Sequence, residues 1–152
     1  MHAINHMRLD FPALPENEAF ARVAISGFML PLNPTMEELA DVKTAVSEAV
    51  TNAVVHGYGG KGGTVRLRAS YSRDGEMRVE IMDRGCGIED VARAMQPFFT
   101  TAAGEDERSG MGFTVMESFM DHVEVRSAPG RGTVVRMSKA LSLREDCFPR
   151  RA

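Results

Sequence analysis

The stretch VRLRASYSRDGEMRVEIM, residues 65–82, decides the fold class. On both sides of Asp74-Gly75, apolar side chains alternate with mostly polar or charged ones. The Asp-Gly dipeptide is typical of a tight turn between two strands, and a period of two indicates strands with one buried face. The stretch therefore predicts an antiparallel hairpin whose apolar face packs against a core.

Similar signals on either side of the hairpin predict the other elements. Thr35, followed three residues later by Glu38, is typical of a capping box that opens a helix. The predicted elements, in chain order, are a strand at 7–11, a helix at 16–30, a helix from Thr35 to the glycine-rich run 57–63, the hairpin, a long polar lid at 83–112, a helix at 113–120, and strands at 123–127 and 133–138. This order predicts the α/β class, as a two-layer sandwich with a mixed, mostly antiparallel sheet and helices on one face.

The composition excludes several classes of protein. The chain has 152 residues and a net charge of −3, which argues against direct binding of nucleic acid. No apolar run is long enough to span a bilayer, and the first ten residues are too polar for a signal peptide. Cys86 and Cys147 lie far apart in the sequence, so neither a disulfide framework nor a zinc site is indicated. We expect a cytoplasmic protein without membrane contact, made of one domain over residues 1–152, with its core at about 7–141 and a frayed tail at 142–152.

The second predicted helix carries Glu48, Asn52 and His56 at intervals of four residues. Each interval advances the side chain by only about 40° around the helix axis, so the three form one stripe. A solvated helix face is the more common explanation of such a pair of an acid and an amide. The alternative is that both point into one cleft, where an amide oxygen is a suitable ligand for Mg²⁺. His56 alone is more typical of a capping or packing residue.

A second pattern, Asp83-Arg84-Gly85-Cys86-Gly87, follows directly after a predicted strand. Asp and Gly are ordinary residues of turns, which gives one explanation of the pattern. Glycines spaced by two also leave the backbone unshielded, so that a ligand can approach it closely. A carboxylate at this position could accept a hydrogen bond from a base amine.

The third pattern, Ser109-Gly110-Met111-Gly112-Phe113, precedes a predicted helix. The free N–H groups at a helix N-terminus favour an anion such as phosphate. The pattern is not a dinucleotide fingerprint, because Val115 replaces the third glycine. The glycine run at 57–63 is not a Walker loop either, since neither Ser nor Thr follows Lys61.

Taken together and in this order, four segments resemble the ATP-binding boxes of the GHKL superfamily, which includes gyrase, Hsp-ninety chaperones, histidine kinases and mismatch-repair ATPases. The four segments are Glu48-x-x-x-Asn52, Asp83-x-Gly85-x-Gly87, Gly110-x-Gly112 and Gly132-Thr133. From about Met7 to Leu141 the chain is more similar still to the small anti-sigma-factor serine kinases. The matching stretches are residues 16–23, 47–58, 96–101 and 107–113.

This resemblance implies an ATP-dependent protein serine/threonine kinase with ATP and Mg²⁺ as cofactors. Glu48 would be the catalytic general base, and Asn52 would hold the metal ion. Asp83 would bind the adenine amine, supported by Thr133. The other residues implied in cofactor binding are Gly85, Gly87, Thr100, Thr101, Arg108, Gly110, Met111 and Gly112.

The resemblance also implies protein partners. Such a kinase is a homodimer that binds and inhibits a sigma factor, here the sporulation factor sigma F, and phosphorylates a serine of an anti-anti-sigma factor. Arg22 matches a partner-binding position on the first helix. Two alternatives stay open: a general-stress kinase of the same family, and a nucleotide-gated binding module without useful chemistry. A sensor histidine kinase is disfavoured, because no predicted helical hairpin carries a phosphoaccepting histidine.

Overall fold

Five strands form one sheet in the part of the chain that the computed structural model describes, residues 2–96 and 112–143. The strands are β1 (Ala3–Pro12), β2 (Thr64–Ser72), β3 (Glu76–Asp83), β4 (His122–Ala128) and β5 (Gly132–Ala140). Their spatial order is β1-β2-β3-β5-β4, and every pairing is antiparallel. The predicted α/β class with a mostly antiparallel sheet is confirmed, and all four strand pairings among the described residues are antiparallel.

Helices supply the second layer of the sandwich. They are α1 (Asn17–Met29), α2 (Met36–Asn52), α3 (Val91–Ala94) and α4 (Gly112–Phe119), with a 3₁₀ turn at Leu30–Leu32 and a π-helix at Ala53–Gly57. Helix α2 contacts both α1 and α4. The four-residue α3 lies within the stretch that the sequence predicted as lid, where its apolar residues are too few to give a helical period.

The core lies between α2 and one face of the sheet. Val42, Val46 and Val50 recur every four residues along α2, and all three are fully buried. They belong to the same apolar cluster as Leu67 of β2 and Ile81 of β3. Burying a side chain of this size contributes about 1.5–3 kcal/mol, so this helix face and the hairpin hold the two layers together.

The start of α2 is fixed by the predicted capping box. The Thr35 hydroxyl accepts a hydrogen bond from the Glu38 N–H at 3.1 Å, and the Glu38 carboxylate accepts one from the Thr35 N–H at 2.9 Å. The other Glu38 oxygen accepts hydrogen bonds from the N–H and the hydroxyl of Ser142. One carboxylate thereby joins the first turn of α2 to the segment that follows β5.

The N-terminal strand is longer than its sequence pattern predicted. The sequence indicated a strand at 7–11 after a polar start, whereas β1 begins at Ala3 and pairs there with Ser72. Backbone pairing with β2 forms this extension without requiring buried side chains, since the residues from Ala3 to His6 are exposed. Within residues 2–96 and 112–143, no helix has the length and apolar character needed to cross a membrane. Of the tail predicted as frayed, residues 144–152 lie outside the described part.

Candidate functional site

A cavity of about 420 Å³ opens between the C-terminal end of α2, the end of β3 and the hairpin of β4 and β5. This volume is within the range typical of small-molecule sites. Ala49, Ile81 and Val135 are among its apolar lining residues, and Asn52, Asp83 and Thr133 are among its polar ones. Apolar walls with a few polar groups suit a flat, partly polar ligand such as a nucleobase.

Asp83 lies at the end of β3 and is only 7% exposed. Burial raises the pKa of its carboxyl group above the ordinary value, and the N–H groups of Gly85 and Thr133 offset part of that rise. The hydrogen bond from the Gly85 N–H to Oδ1 is 2.8 Å long and fixes the carboxylate orientation. The result is an oriented acceptor in an apolar cavity, which suits a ligand with an amine.

Asn52 is the last residue of α2 and also lines the cavity. Its Nδ2 atom is buried and has no hydrogen-bond partner among the described residues. A Cβ atom placed on Gly112, the first residue of α4, would lie 3.0 Å from this nitrogen. An unsatisfied buried amide costs about 1–3 kcal/mol, so the site fits a ligand that supplies polar partners, such as phosphate oxygens with a metal ion.

Glu48 lies one turn before Asn52 on α2, about 6 Å along the helix axis. The residue is half-buried and is not among the described residues that line the cavity. Within the described residues, no three His, Cys, Asp or Glu side chains form a metal-binding cluster.

The glycines after β3 are required by close backbone packing. A Cβ atom on Gly85 would lie 1.9 Å from the Gly57 carbonyl oxygen, and one on Gly57 would lie 2.8 Å from the Asp83 carboxyl group. Gly87 has a φ of +74°, and a Cβ there would lie 2.0 Å from the Ala128 carbonyl oxygen. The loop that carries Asp83 is thus wedged between the π-helix and the β4–β5 hairpin. Of the two loop glycines, Gly87 lines the cavity.

Tyr58 joins this loop to the end of the π-helix, a role that the sequence patterns did not indicate. Its hydroxyl donates to the Thr64 carbonyl at 2.6 Å and accepts from the Arg84 N–H at 2.8 Å. Next to it, the Gly57 carbonyl accepts from the Cys86 N–H at 2.7 Å. These hydrogen bonds fix the Asp83 loop relative to the helix that carries Glu48 and Asn52.

The remaining residues predicted for the site fall into two groups. Thr100, Thr101, Arg108, Gly110 and Met111 lie outside the described residues. Arg22 lies away from the cavity, exposed on α1, and forms an ion pair with Glu18 in which the two atoms are 3.1 Å apart. His56 and Cys86 line the cavity, and the Cys86 thiol donates to the His56 carbonyl at 3.1 Å. The structure therefore brings together Asn52, Asp83, Gly87, Gly112 and Thr133.

Comparison with known proteins identifies the family of the chain. The family model described as a histidine kinase-like ATPase domain matches residues 11–139. An anti-sigma F factor of Thermoanaerobacter sp. (strain X514) is 52% identical over 141 residues, covering 93% of this chain and 97% of that relative. An anti-sigma F factor of Clostridium acetobutylicum is 54% identical over 142 residues, covering 93% and 98%.

A solved structure shows the same fold at lower identity. The RsbU and RsbW domains of Rv1364c from Mycobacterium tuberculosis align with 90% of this chain and 32% of that chain, at 21% identity and a TM-score of 0.66. Because a family model matches most of the chain, and because relatives covered almost completely are more than 50% identical over the aligned residues, the chain belongs to the histidine kinase-like ATPase family and, within it, to the family of the anti-sigma F factors.

Proposed function

We propose that this protein is an anti-sigma factor that binds ATP with Mg²⁺ in the described cavity and phosphorylates a serine of an anti-anti-sigma protein. One observation carries the ATP site: a buried, oriented carboxylate lines the same cavity as a buried amide whose nitrogen has no hydrogen-bond partner within residues 2–96 and 112–143. The carboxylate of Asp83 suits the adenine amine. The amide of Asn52 suits the phosphate end of the nucleotide.

The described residues divide the chemistry between them. Asp83 and Thr133 bind and orient the base. Gly112 has no side chain and so allows the phosphates to approach closely beside Asn52. The Asn52 amide supplies an oxygen ligand for the metal ion. When bound, Mg²⁺ neutralises the charge of the phosphates, which is a main requirement of phosphoryl transfer. Glu48 accepts the proton of the attacking serine hydroxyl, so that the serine oxygen bonds to the γ-phosphorus while ADP leaves.

The partner assignment rests on the relatives, which carry the name anti-sigma F factor. A sigma factor, sigma F, is the proposed inhibited partner, and Arg22 on the exposed side of α1 is its proposed contact. The protein acts as a homodimer in the cytoplasm and contacts neither nucleic acid nor membrane directly. Light scattering tests the dimer, because a dimer doubles the measured mass.

The kinase reaction is tested by capture from a lysate of the source organism with Mg-ATP, followed by mass spectrometry of bound proteins and phosphopeptides. We expect a sigma factor and a newly phosphorylated serine on a small second protein. Glu48→Ala should lower the rate of phosphorylation about 10²–10⁴-fold while keeping the sigma factor bound. The matched control is Glu37→Ala, which removes an exposed carboxylate at the other end of α2 and should leave the rate unchanged.

The outcomes separate the proposal from its alternatives. Phosphorylation that survives Glu48→Ala undiminished contradicts the role of Glu48. A sigma factor captured in a nucleotide-dependent way, without phosphate transfer by the unaltered protein, identifies a nucleotide-gated binding module. Capture of a general-stress sigma factor in place of sigma F identifies the other branch of the family.

A further inference from the structure

Ser127 on β4 makes three contacts, one with the loop that follows Asp83 and two within the β4–β5 hairpin. Its hydroxyl donates to the Gly132 carbonyl at 2.9 Å and accepts from the Ile88 N–H at 2.8 Å. The Thr133 hydroxyl lies 2.8 Å from the same oxygen. Ser127 and Thr133 face each other across the strand pair, and Ser127 is not itself a lining residue of the cavity.

Counting protons fixes the direction of the bond between Ser127 and Thr133. A serine hydroxyl has one hydrogen to donate and two lone pairs to accept with. Because that hydrogen is directed to the Gly132 carbonyl, Ser127 accepts from Thr133, and the Thr133 hydrogen is used in this bond. Thr133, which is 8% exposed and lines the cavity, therefore offers only lone pairs to a ligand.

Asp83, the cross-strand neighbour of Thr133 on β3, also lines the cavity as an acceptor when its carboxyl group is ionised. Two adjacent acceptors suit an amino group, which has two hydrogens to donate, and disfavour an oxo group, which has none. A site whose buried polar groups would be left unpaired rejects the wrong ligand strongly.

We propose that Ser127 is a positioning residue for base selectivity: by accepting the Thr133 hydrogen, it makes Thr133 an obligate acceptor and so favours a 6-aminopurine nucleotide over a 6-oxopurine one. This inference deepens the proposed function and rests on it. The effect of Ser127 on base selectivity is exerted through Thr133, whereas its hydrogen bonds with Ile88 and Gly132 have a structural role. Without Ser127, the Thr133 hydroxyl is free to rotate and can donate to an oxo group.

The test is a double-mutant cycle in which the dissociation constants of ADP and IDP are measured by calorimetry. IDP differs from ADP in having an oxo group at position 6 and a proton on N1. We expect Ser127→Ala to lower the preference for ADP over IDP about fivefold, the effect of one neutral hydrogen bond. In the background of Thr133→Val, which keeps the shape but lacks the hydroxyl, Ser127→Ala should leave the preference unchanged.

Each outcome either supports or overturns the inference. If Ser127→Ala weakens ADP and IDP equally in both backgrounds, Ser127 has only a structural role and the inference is wrong. Thr133→Val alone provides a second test if Ser127→Ala does not fold: it should weaken ADP several-fold without weakening IDP, whereas equal weakening contradicts an obligate acceptor. Failure of the unaltered protein to bind either nucleotide contradicts the proposed function itself.

Discussion

The two ends of α2 are stabilised in different ways. At the start, Thr35 and Glu38 satisfy each other's backbone N–H groups, so the helix is capped by residues of its own first turn. At the end, α2 passes into the π-helix Ala53–Gly57, whose last carbonyl accepts from Cys86, a residue distant in sequence. The start is therefore a local structure, whereas the end depends on the loop that carries Asp83.

This difference separates stability from ligand binding. The capped end lies far from the cavity, and its hydrogen bonds hold the helix start and the segment after β5. The π-helix end is irregular and contains residues of the cavity wall, as π-turns at functional sites often do. We expect substitutions at the capped end to change the free energy of unfolding alone, and substitutions at the π-helix end to change nucleotide affinity as well.

The largest effect is expected from Gly85→Ala. The new Cβ would lie 1.9 Å from the Gly57 carbonyl oxygen, so the loop must separate from the π-helix. We expect a loss of about 3 kcal/mol in the free energy of unfolding and no measurable ADP binding. The control is Gly27→Ala on α1, where a Cβ meets nothing within 4 Å. It should raise stability by about 0.5–1 kcal/mol, because alanine favours helix. If Gly85→Ala and Gly27→Ala have the same stability and the same ADP affinity, the close packing of the loop against the π-helix is contradicted.

A smaller effect is expected from Tyr58→Phe, which removes the hydrogen bonds to Thr64 and Arg84. We expect a loss of about 1–2 kcal/mol in stability and an approximately fivefold weaker binding of ADP, measured by chemical denaturation and calorimetry. Tyr71→Phe is the matched control, since it removes a hydroxyl that accepts from Asn5 at the far edge of the sheet. The control should lower stability without changing ADP affinity. If ADP affinity falls equally in both variants, Tyr58 has no special relation to the site.

At the capped end, Thr35→Ala should lower the free energy of unfolding by about 1 kcal/mol and leave ADP affinity unchanged. The reason is that the hydroxyl accepts a hydrogen bond from the Glu38 N–H, at a helix end that does not line the cavity. Thr51→Ala, at an exposed position near the other end of α2, is the control and should not destabilise the protein. A change in ADP affinity with Thr35→Ala contradicts the independence of the two ends.

The pH dependence of stability is expected to have one sign for Glu38, at the capped end of α2, and the opposite sign for Asp83, whose loop contacts the π-helix. Burial alone would raise the pKa of Glu38, but its hydrogen bonds from Ser142 and Thr35 prevail and hold the pKa below the ordinary 4.5. The stability that Glu38 contributes is therefore present above pH 4.5 and is lost as the pH falls through the lowered pKa. Burial raises the pKa of Asp83 above the ordinary 3.8, so its contribution is present below pH 3.8 and is lost as the pH rises through the raised pKa.

These signs are measured by thermal unfolding of Glu38→Gln and Asp83→Asn between pH 3 and pH 6, relative to the unaltered protein. The loss of stability caused by Glu38→Gln should grow as the pH rises through the lowered pKa of Glu38. By contrast, the stability of Asp83→Asn relative to the unaltered protein should rise with pH, because the substitution removes a group that costs stability when ionised. A flat difference for either variant contradicts the pKa shift assigned to that residue.

Local patterns were sufficient to predict much of the fold. The capping box of Thr35 and Glu38, the helix that it opens and the Asp74-Gly75 hairpin are all determined by neighbouring residues, and each appears where the sequence indicated. The first residues of β1 and the π-helix were not predicted, because both depend on partners more than twenty residues away.

The same limit applies to the cavity. Asn52, Asp83, Gly112 and Thr133 could be proposed from short motifs; the structure places Asn52, Asp83 and Thr133 around one cavity, with Gly112 next to Asn52. Ser127 lies outside every motif, and Tyr58 ends the stretch 47–58 but had no role assigned there. The contacts of these two residues with Arg84, Ile88 and Thr133 arise only when separate elements meet. Residues that touch a ligand are visible in the sequence more readily than the residues that orient them.

The central claim, that Asp83 binds the amine of an adenine nucleotide in this cavity, is tested most directly by calorimetric titration of the unaltered protein and Asp83→Asn with ADP. The substitution replaces an acceptor oxygen by an amide donor, which would face the amine. We expect binding by the unaltered protein and at least about 100-fold weaker binding by Asp83→Asn, since a charged hydrogen bond is lost and a donor is left unpaired. Asp74→Asn, in the exposed hairpin turn, should bind as the unaltered protein does. Unchanged affinity of Asp83→Asn would contradict the account.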